Sequence, residues 1–379
     1  MGVEQRKDRC RGIGENSFMS LYKQRVAGLD ILKSISIFFV VLYHTNIDDV
    51  VGASGFTYAL NLVFTTVMSI AIPTFFFVSG YLLFSKENID LKKHYRNLLI
   101  NVGVFVFWAI TVTGVLALYR HENMSAGKFF ATAFGVVGGW TNYLWYFYAY
   151  LGLSVFYPFL LNLYQKHFKG FVALFAVAAI LGFGIWLSDT VTIAVVKADA
   201  TNEIALKAST VFGEIWLVKY AGYIVANMLI GGLCVKYKDK ITTIFARVTI
   251  SVCAVAFTAM LAACNSMLLD LDPTYEHIWC NFMSPISSLT VVALFVNLCN
   301  VKESGLTKAL GLFGKYSFGI YILHWVICAM LKNSVASVGV SANASLPFGI
   351  AIALCYCLMS LAPVMLLSSF KYTKKLVLK

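Results

Sequence analysis

The sequence predicts an all-α fold: a polytopic integral membrane bundle of about ten transmembrane helices with the N- and C-termini in the cytoplasm. Composition is the first observation behind this prediction. The 379 residues are 59% hydrophobic and 13% charged, whereas a soluble domain carries about a quarter charged residues. With a mean hydropathy of +0.77, the chain has too few polar residues to cover itself in water. An ordinary cytosolic enzyme, a disordered chain and a disulfide scaffold are therefore excluded.

Recurring apolar segments are the second observation. Ten of them approach the roughly 20 residues that a helix needs to cross the hydrocarbon core. The first, fifth and ninth are short, and Pro73 in the second is placed to kink or break its helix. Apolar residues lie on every side of these helices, as expected in lipid. The ten segments are residues 29–43, 58–84, 98–119, 144–163, 171–187, 216–235, 241–264, 278–298, 318–331 and 347–370.

The distribution of positive charge is the third observation. Placing the N-terminus inside puts 24 of the 30 lysines and arginines in inner loops or at inner helix ends, and six outside. Because lysine and arginine are retained on the cytoplasmic side, this alternation orients the chain. The net charge of +12 is thereby explained by a membrane, and no nucleic acid partner is expected.

Residues 25–371 form the single predicted transmembrane domain. A basic cytosolic segment, residues 1–24, precedes it, and a basic cytosolic tail, residues 372–379, follows it. The first segment has no apolar core, so it does not resemble a cleaved signal peptide. Met1 and Met19 are equally good candidate start sites, and no function is assigned to the residues between them.

The cysteines give no sign of a metal centre. All nine are scattered singly, without the His, Cys or carboxylate spacing of a ligand set, so no metal site is predicted. Most act as small apolar residues within helices. Cys264 and Cys280 flank one outer loop, and a disulfide between them is the less favoured alternative.

Polar residues in the first apolar segment are the strongest candidates for chemistry, because ionisable groups within a bilayer are costly. Asp30 and Lys33 are three residues apart and can pair on a helix. For these two alone, a structural ion pair is favoured over a functional role. His44 follows Lys33 at about 16 Å along a helix axis. If the helix continues, Asp48 at i+4 orients the imidazole as a general base, with Asp49 as a competing partner. An interfacial histidine bonded to water is the simpler alternative.

Two further candidates lie towards the inner side. Ser79 and Gly80 form a small surface where another helix or a ligand can approach closely. Lys93 and Arg96, at i and i+3, present two cations at the cytosolic surface. Ordinary positive-inside anchors are the favoured interpretation of that pair, and a phosphate-binding site is the alternative.

The remaining candidates lie deeper or towards the outer side. His324 is a second imidazole at membrane depth, for which packing with an interhelical hydrogen bond is favoured over a role in a central cavity. Aromatic side chains cluster where the fourth segment begins, and they indicate either an interfacial belt, which is favoured, or a surface that stacks on sugar rings. The cluster comprises Trp140, Tyr143, Trp145, Tyr146 and Tyr148.

Taken together, four motifs resemble acyltransferase family 3 of integral membrane proteins. The resemblance extends over nearly the whole chain. The stretch RVAGLDILKSISIFFVVLYH carries the family's basic residue, then ten residues, then histidine, here Lys33 and His44. The stretch FFFVSGYLL matches the FFxxSG element, and LWYFYAYL and YSFGIYILH resemble the fourth-span and late-span elements. Each motif is modest, but their order along ten spans is specific.

Membership in this family implies an O-acyltransferase of the inner (plasma) membrane, most often an O-acetyltransferase. The donor substrate is cytosolic acyl-CoA, typically acetyl-CoA, and the acceptor is a hydroxyl of a cell-surface polysaccharide such as O-antigen, or of a lipid-linked glycan, at the outer face. No permanently bound cofactor is implied. By similarity, His44 is the catalytic base or a transient acyl carrier, and Lys33 lies in the same polar path. The family's RxxR pair is here Lys93 to Arg96, which leaves bidentate phosphate recognition at position 93 open.

The reaction also needs hydrogen-bond donors for the developing oxyanion. Tyr43, Ser79 or a backbone amide are the candidates, and the sequence does not choose among them. A polysaccharide exporter without acyl-transfer chemistry is the alternative function. Paired broken helices and repeat symmetry, which are expected of many transporters, are not evident. The acceptor sugar, the acyl group and the oligomeric state are not indicated by the sequence.

Overall fold

The computed structural model describes residues 27–45, 55–271, 277–302, 304–337 and 346–378. The described residues are 85% helical and form no strand, so the all-α prediction is confirmed. A 3₁₀ turn, Asn142–Leu144, precedes α6, and a π-helical turn, Ile180–Gly184, joins α8 to α9. The helices are α1 (Ala27–Tyr43), α2 (Gly55–Met68), α3 (Ala71–Phe84), α4 (Leu91–Tyr119), α5 (Ala126–Ala133), α6 (Trp145–Val155), α7 (Tyr157–Lys166), α8 (Phe168–Ala179), α9 (Ile185–Ala198), α10 (Glu203–Glu214), α11 (Trp216–Lys236), α12 (Lys238–Ile241), α13 (Ile244–Leu271), α14 (His277–Asn281), α15 (Pro285–Leu298), α16 (Gly305–Ser337), α17 (Leu346–Ser369) and α18 (Lys374–Val377).

The helices support a multi-pass membrane protein. Within the described ranges, seven are long and apolar enough to cross a membrane, or eight if the bent pair α6 and α7 counts as one span. Every predicted apolar segment falls on one helix or on successive helices. Two of the ten segments are not among these spans: the first falls on α1, with 17 described residues, and the eighth falls on α14 and the 14 residues of α15. The total of ten spans and the cytoplasmic placement of the termini stay predictions.

Two segments that are short in the sequence are long in the structure. The fifth continues as helix from Phe168 to Ala198, 31 residues in all, and the ninth lies within the 33 residues of α16. Charged residues such as Asp189 and Lys315 lie on these helices beyond the apolar runs. An apolar run shows only which part of a helix can lie in lipid. The helix itself can extend beyond that run into a polar environment.

The second segment breaks near the predicted proline. Helices α2 and α3 are separated at Ser69 and Ile70, and Pro73 lies in the first turn of α3. Proline is tolerated there because the first N–H groups of a helix have no intrahelical partner. The break matters for the site because it leaves Ser69 facing a cavity described below.

Helix α1 lies at the centre of the bundle. It packs against α3, α15, α16 and α17, and twelve of its 17 residues are buried. The closest approach is at Gly314 of α16, where an added Cβ would overlap the backbone of Asp30. Small residues let helix backbones approach in this way within membranes. Consequently the helix that carries Lys33 and leads into His44 is held from several sides.

A second close approach joins α3 to α11. Gly80 lies against the backbone of Met228, and a Cβ added at Gly80 would overlap the Met228 carbonyl. The sequence left open whether another helix or a ligand approaches the small surface at Ser79 and Gly80. On the Gly80 side the neighbour is helix α11. Ser79 remains on the wall of a cavity.

We expect Gly80→Ala to destabilise the bundle, because backbone atoms of α11 cannot yield to the new methyl group. The expected loss is about 1–3 kcal/mol in the free energy of unfolding, the usual range for overpacking. Gly103→Ala is the control: it lies on an exposed face of α4 with open space around it. That substitution should be neutral or stabilising by about 0.5–1 kcal/mol. Thermal melting of both variants in detergent measures the difference, and equal melting would contradict the packing at Gly80.

Candidate active site

The helix that carries the predicted base ends at Tyr43. His44 and Thr45 form a turn, with the His44 N–H donating to the Val41 carbonyl at 3.1 Å and the Thr45 N–H donating to the Leu42 carbonyl at 3.0 Å. The expectation that Asp48 shares a helical face with His44 required the helix to continue, and the helix does not continue. Asp48 itself lies outside the described residues, so its pairing with His44 stays a prediction.

The structure places two rings of α16 against His44. The centroid of the His324 ring is 5.2 Å from that of His44, and the Trp325 ring meets it edge-on at 4.9 Å. His324 is fully buried. Its Nδ1–H donates to the Ile320 carbonyl at 3.2 Å, because a carbonyl can only accept. Its Nε2 has no hydrogen-bond partner among the described residues. His324 therefore supplies a fixed imidazole next to His44, and its Nδ1–H bonds within its own helix instead of forming the expected interhelical hydrogen bond.

His44 lies on the wall of a cavity of about 230 Å³, called here the outer cavity. Residues from five parts of the chain form it: the end of α1, the break before α3, the segment leading into α6, the region of α14, and α16. The lining is largely aromatic, and Ser69 contributes a hydroxyl-bearing side chain to it. Its members include Tyr43, His44, Ser69, Tyr143, Trp145 and Trp325.

Only some side chains of the aromatic cluster at the start of α6 line the outer cavity. Tyr143, Trp145 and Tyr146 line the outer cavity. Trp140 is instead buried beneath Arg120, whose guanidinium carbon lies 4.7 Å above the indole. Tyr148 is exposed and donates to the Phe134 carbonyl at 3.0 Å. Only part of the cluster can therefore touch a ligand in this cavity.

Lys33 lies on the wall of a second cavity of about 730 Å³, the inner cavity. Four side chains line both cavities and form a partition between them. They are Val40, Ile72, Tyr146 and Tyr321. Helix α1 thus presents Lys33 on one side of the partition and His44 on the other.

The two side-chain candidates for an oxyanion donor lie on opposite sides of the partition. Tyr43 lines the outer cavity with His44, whereas Ser79 lines the inner cavity with Lys33. The Ser79 hydroxyl donates its one proton to the Phe75 carbonyl at 2.8 Å. In this rotamer Ser79 offers lone pairs rather than a proton to the cavity.

The position of Lys33 fits both a structural ion pair and a functional role. Its Nζ lies 2.6 Å from Asp30 Oδ1, and the two side chains are only 19% and 10% exposed. The same lysine lines the inner cavity. The ion pair lets a cation stay at this depth, since pairing offsets the desolvation of both groups.

Lys93 and Arg96 are exposed and line none of the three cavities. Asp90 caps the start of their helix by accepting a hydrogen bond from the Lys93 N–H at 3.0 Å. Their neighbour His94 lines a third cavity of about 350 Å³, together with Lys86. Partial desolvation of the Lys86 ammonium lowers the pKa of that group.

Several cavity-lining residues have no distinguishing signal in the sequence. Ser69, Lys86, His94 and Tyr321 look like ordinary helix or loop residues, because their roles depend on contacts between distant segments. Among the residues that the structure describes, no group of three His, Cys, Asp or Glu side chains can hold a metal ion. Cys264 carries a free thiol, so the less favoured disulfide is not formed.

The fold and the site together define a multi-pass membrane protein with two neighbouring cavities, one lined by Lys33 and the other by the imidazole of His44. Residues 26–368 match the family model described as an acyltransferase domain, acyltransferase 3. The chain therefore belongs to this family of membrane acyltransferases, and the expected resemblance is confirmed. No curated protein and no solved structure matches the chain.

We expect Asp30→Asn to destabilise the protein by about 3 kcal/mol, because it leaves the Lys33 ammonium largely buried without its carboxylate. Glu203→Gln is the matched control, since the Glu203–Lys207 pair is 82–85% exposed at 4.0 Å. Exposed pairs contribute less than about 1 kcal/mol. Thermal melting in detergent compares the two variants. Adding Lys33→Met to Asp30→Asn should restore part of the loss, and a lack of any effect of Asp30→Asn would remove the ion pair from the account.

Proposed function

We propose that this protein is an O-acyltransferase, and specifically an O-acetyltransferase, of the inner (plasma) membrane. It transfers an acyl group from cytosolic acyl-CoA to a hydroxyl of a surface polysaccharide or lipid-linked glycan at the outer face. The observation that carries this proposal is the pair of cavities on either side of one partition, with Lys33 in one and His44 in the other. Family membership supports the acyl-transfer chemistry.

The proposed reaction uses His44 as the general base. A carbohydrate hydroxyl in the outer cavity is a weak nucleophile until its proton is removed. His44 takes that proton as the hydroxyl oxygen attacks the thioester carbonyl. The carbon–sulfur bond then breaks, and the sulfur leaves as the thiolate of coenzyme A. This thiolate accepts from His44 the proton that came from the sugar hydroxyl. The acyl ester remains on the sugar.

His324 is a positioning residue in this proposal. Its ring contacts His44, and its own orientation is held by the hydrogen bond to the Ile320 carbonyl. Its Nε2, which has no hydrogen-bond partner among the described residues, is proposed to favour one orientation of the neighbouring imidazole. Tyr43 is the proposed donor to the oxyanion, because it shares the outer cavity with His44.

The acceptor sugar is proposed to stack on the aromatic lining of the outer cavity, with Trp145 as the principal platform. The donor is proposed to enter from the cytosolic side through the inner cavity, past Lys33 and Ser79. No resident cofactor is required, because the acyl-CoA supplies the activated group. The partition separates the two substrates until the thioester reaches it, which fits acyl transfer better than export of a whole glycan.

Replacing His44 by alanine should abolish acylation without preventing insertion. Loss of a general base lowers a rate by about 10²–10⁴-fold, so acetylation of the surface polysaccharide should fall below detection by mass spectrometry. His167→Ala, at an exposed histidine between α7 and α8, is the control and should leave acetylation unchanged. Unchanged acetylation in correctly inserted His44→Ala would end the catalytic assignment.

Lys93 and Arg96 are proposed to attract the anionic donor electrostatically, because they are exposed and flank His94, which lines the third cavity. The double variant Lys93→Ala/Arg96→Ala should raise the KM for acetyl-CoA by about fivefold at low ionic strength, as expected for two exposed charges. Since salt screens exposed charges, the difference should vanish near 1 M salt. Steady-state kinetics of membranes at both salt concentrations measure this, and a salt-independent change would indicate direct contact instead.

A further inference from the structure

The third cavity has the chemical character of an anion site. Its polar lining consists of cations, imidazole, amides and hydroxyls, and none of its lining residues is a carboxylate. It shares Lys86, Tyr150 and Tyr157 with the inner cavity. The polar residues that matter most are Lys86, His94, Asn97, Asn101 and Lys375.

No described residue neutralises the lysines that line this cavity. Neither Lys86 nor Lys375 forms an ion pair with any residue that the structure describes. The His94 Nε2–H donates to the Ser154 carbonyl at 2.8 Å, which holds the ring in place. Cations gathered around one concave surface without carboxylates favour an anionic ligand.

Lys375 is presented by an anchored segment rather than by a loose tail. The Trp108 Nε1–H donates to the Leu376 carbonyl at 2.8 Å. The side chain of Val377 is fully buried, and α18 packs against α16 and α17. Anchoring reduces the conformational entropy lost when Lys375 contacts a ligand. A tail that served only to retain positive charge in the cytosol would need none of these contacts.

We propose that the third cavity binds the phosphate groups of the acyl donor's nucleotide, and that Lys375 of the C-terminal segment contacts them directly. The identity of the ligand rests on the proposed function, because an acyl-CoA carries phosphates at the end opposite its thioester. The shared lining places this site next to the cavity that would take the rest of the donor. The C-terminal segment, residues 374–378, thereby forms part of the donor site.

Equilibrium binding tests the site without requiring turnover. The probe is 3′-phosphoadenosine 5′-diphosphate, titrated by calorimetry into the full-length protein in zwitterionic nanodiscs. Lys375→Ala should weaken binding about tenfold, the loss expected for one charge-assisted contact, and Lys375→Arg should retain it. Lys374→Ala is the matched control because Lys374 is exposed and does not line the cavity. It should change the affinity by less than about threefold. Equal effects of the two alanine variants, or no binding by the wild type, would overturn the proposal.

Kinetics separate this site from the proposed function. With acetyl-CoA, Lys375→Ala should raise KM about tenfold with little change in kcat, whereas with acetyl-pantetheine, which lacks the nucleotide, it should change neither. A structural defect would affect both donors equally and would overturn the direct contact. If the wild type binds the nucleotide through Lys375 but transfers no acyl group, the site stands and the proposed function fails. If the wild type transfers acyl groups but Lys375→Ala alters neither nucleotide binding nor KM, the proposed function stands and the nucleotide site fails.

Phosphate groups also occur on lipids, and a last comparison distinguishes the two sources. Native mass spectrometry of protein from nanodiscs containing phosphatidylglycerol reports any retained anionic lipid. Retention of this lipid by the wild type, its loss in Lys375→Ala, and failure of the nucleotide to displace it would assign the cavity to a headgroup and overturn the nucleotide site. Displacement of the lipid by the nucleotide supports the proposal.

Discussion

The burial of α1 is the constraint on which the rest of the site depends. This helix is surrounded by α3, α15, α16 and α17, and at Gly314 its backbone touches that of α16 without an intervening side chain. Such contacts prevent α1 from rotating or sliding relative to its neighbours, since a packed interior has few alternative arrangements. Lys33 and His44 are therefore held at fixed depths, and the cavities on either side of the partition keep their separate linings.

The arrangement reconciles two demands that oppose each other in a membrane. Charged substrates require polar side chains at depth, yet each such side chain is costly unless it has a partner. Asp30 offsets the charge of Lys33, and the proposed base is a histidine, which can be neutral at this depth. Lys86 and Lys375, which form no ion pair with the described residues, line the third cavity, and Lys86 also lines the inner cavity. No lysine is among the described residues that line the outer cavity. Charge thus decreases along the proposed path towards the partition.

Much of this protein could be predicted before its structure was known. The apolar segments are helices, the family is the one that the motifs around His44 and Ser79 indicate, and Lys33 and His44 each line a cavity. The unpredicted part is local and three-dimensional. The end of α1 at Tyr43, the contact between His44 and His324, and the partition at Tyr146 and Tyr321 all depend on segments distant in sequence. Single-sequence patterns carry no information about which distant side chains meet.

The sequence by itself determined that this is a membrane protein, because hydropathy and the distribution of lysine and arginine are properties of composition and order along the chain. It also determined the family, because a basic residue and a histidine on one helix need only local spacing. The tertiary structure decided which of these side chains line a cavity: Lys375 and His94 line the third cavity, whereas Lys93 and Arg96 line none of the three. The sequence gives no means of telling these four residues apart. Only the packing of α18 against α16 and α17 distinguishes a lysine that orients the chain from one that lines a cavity.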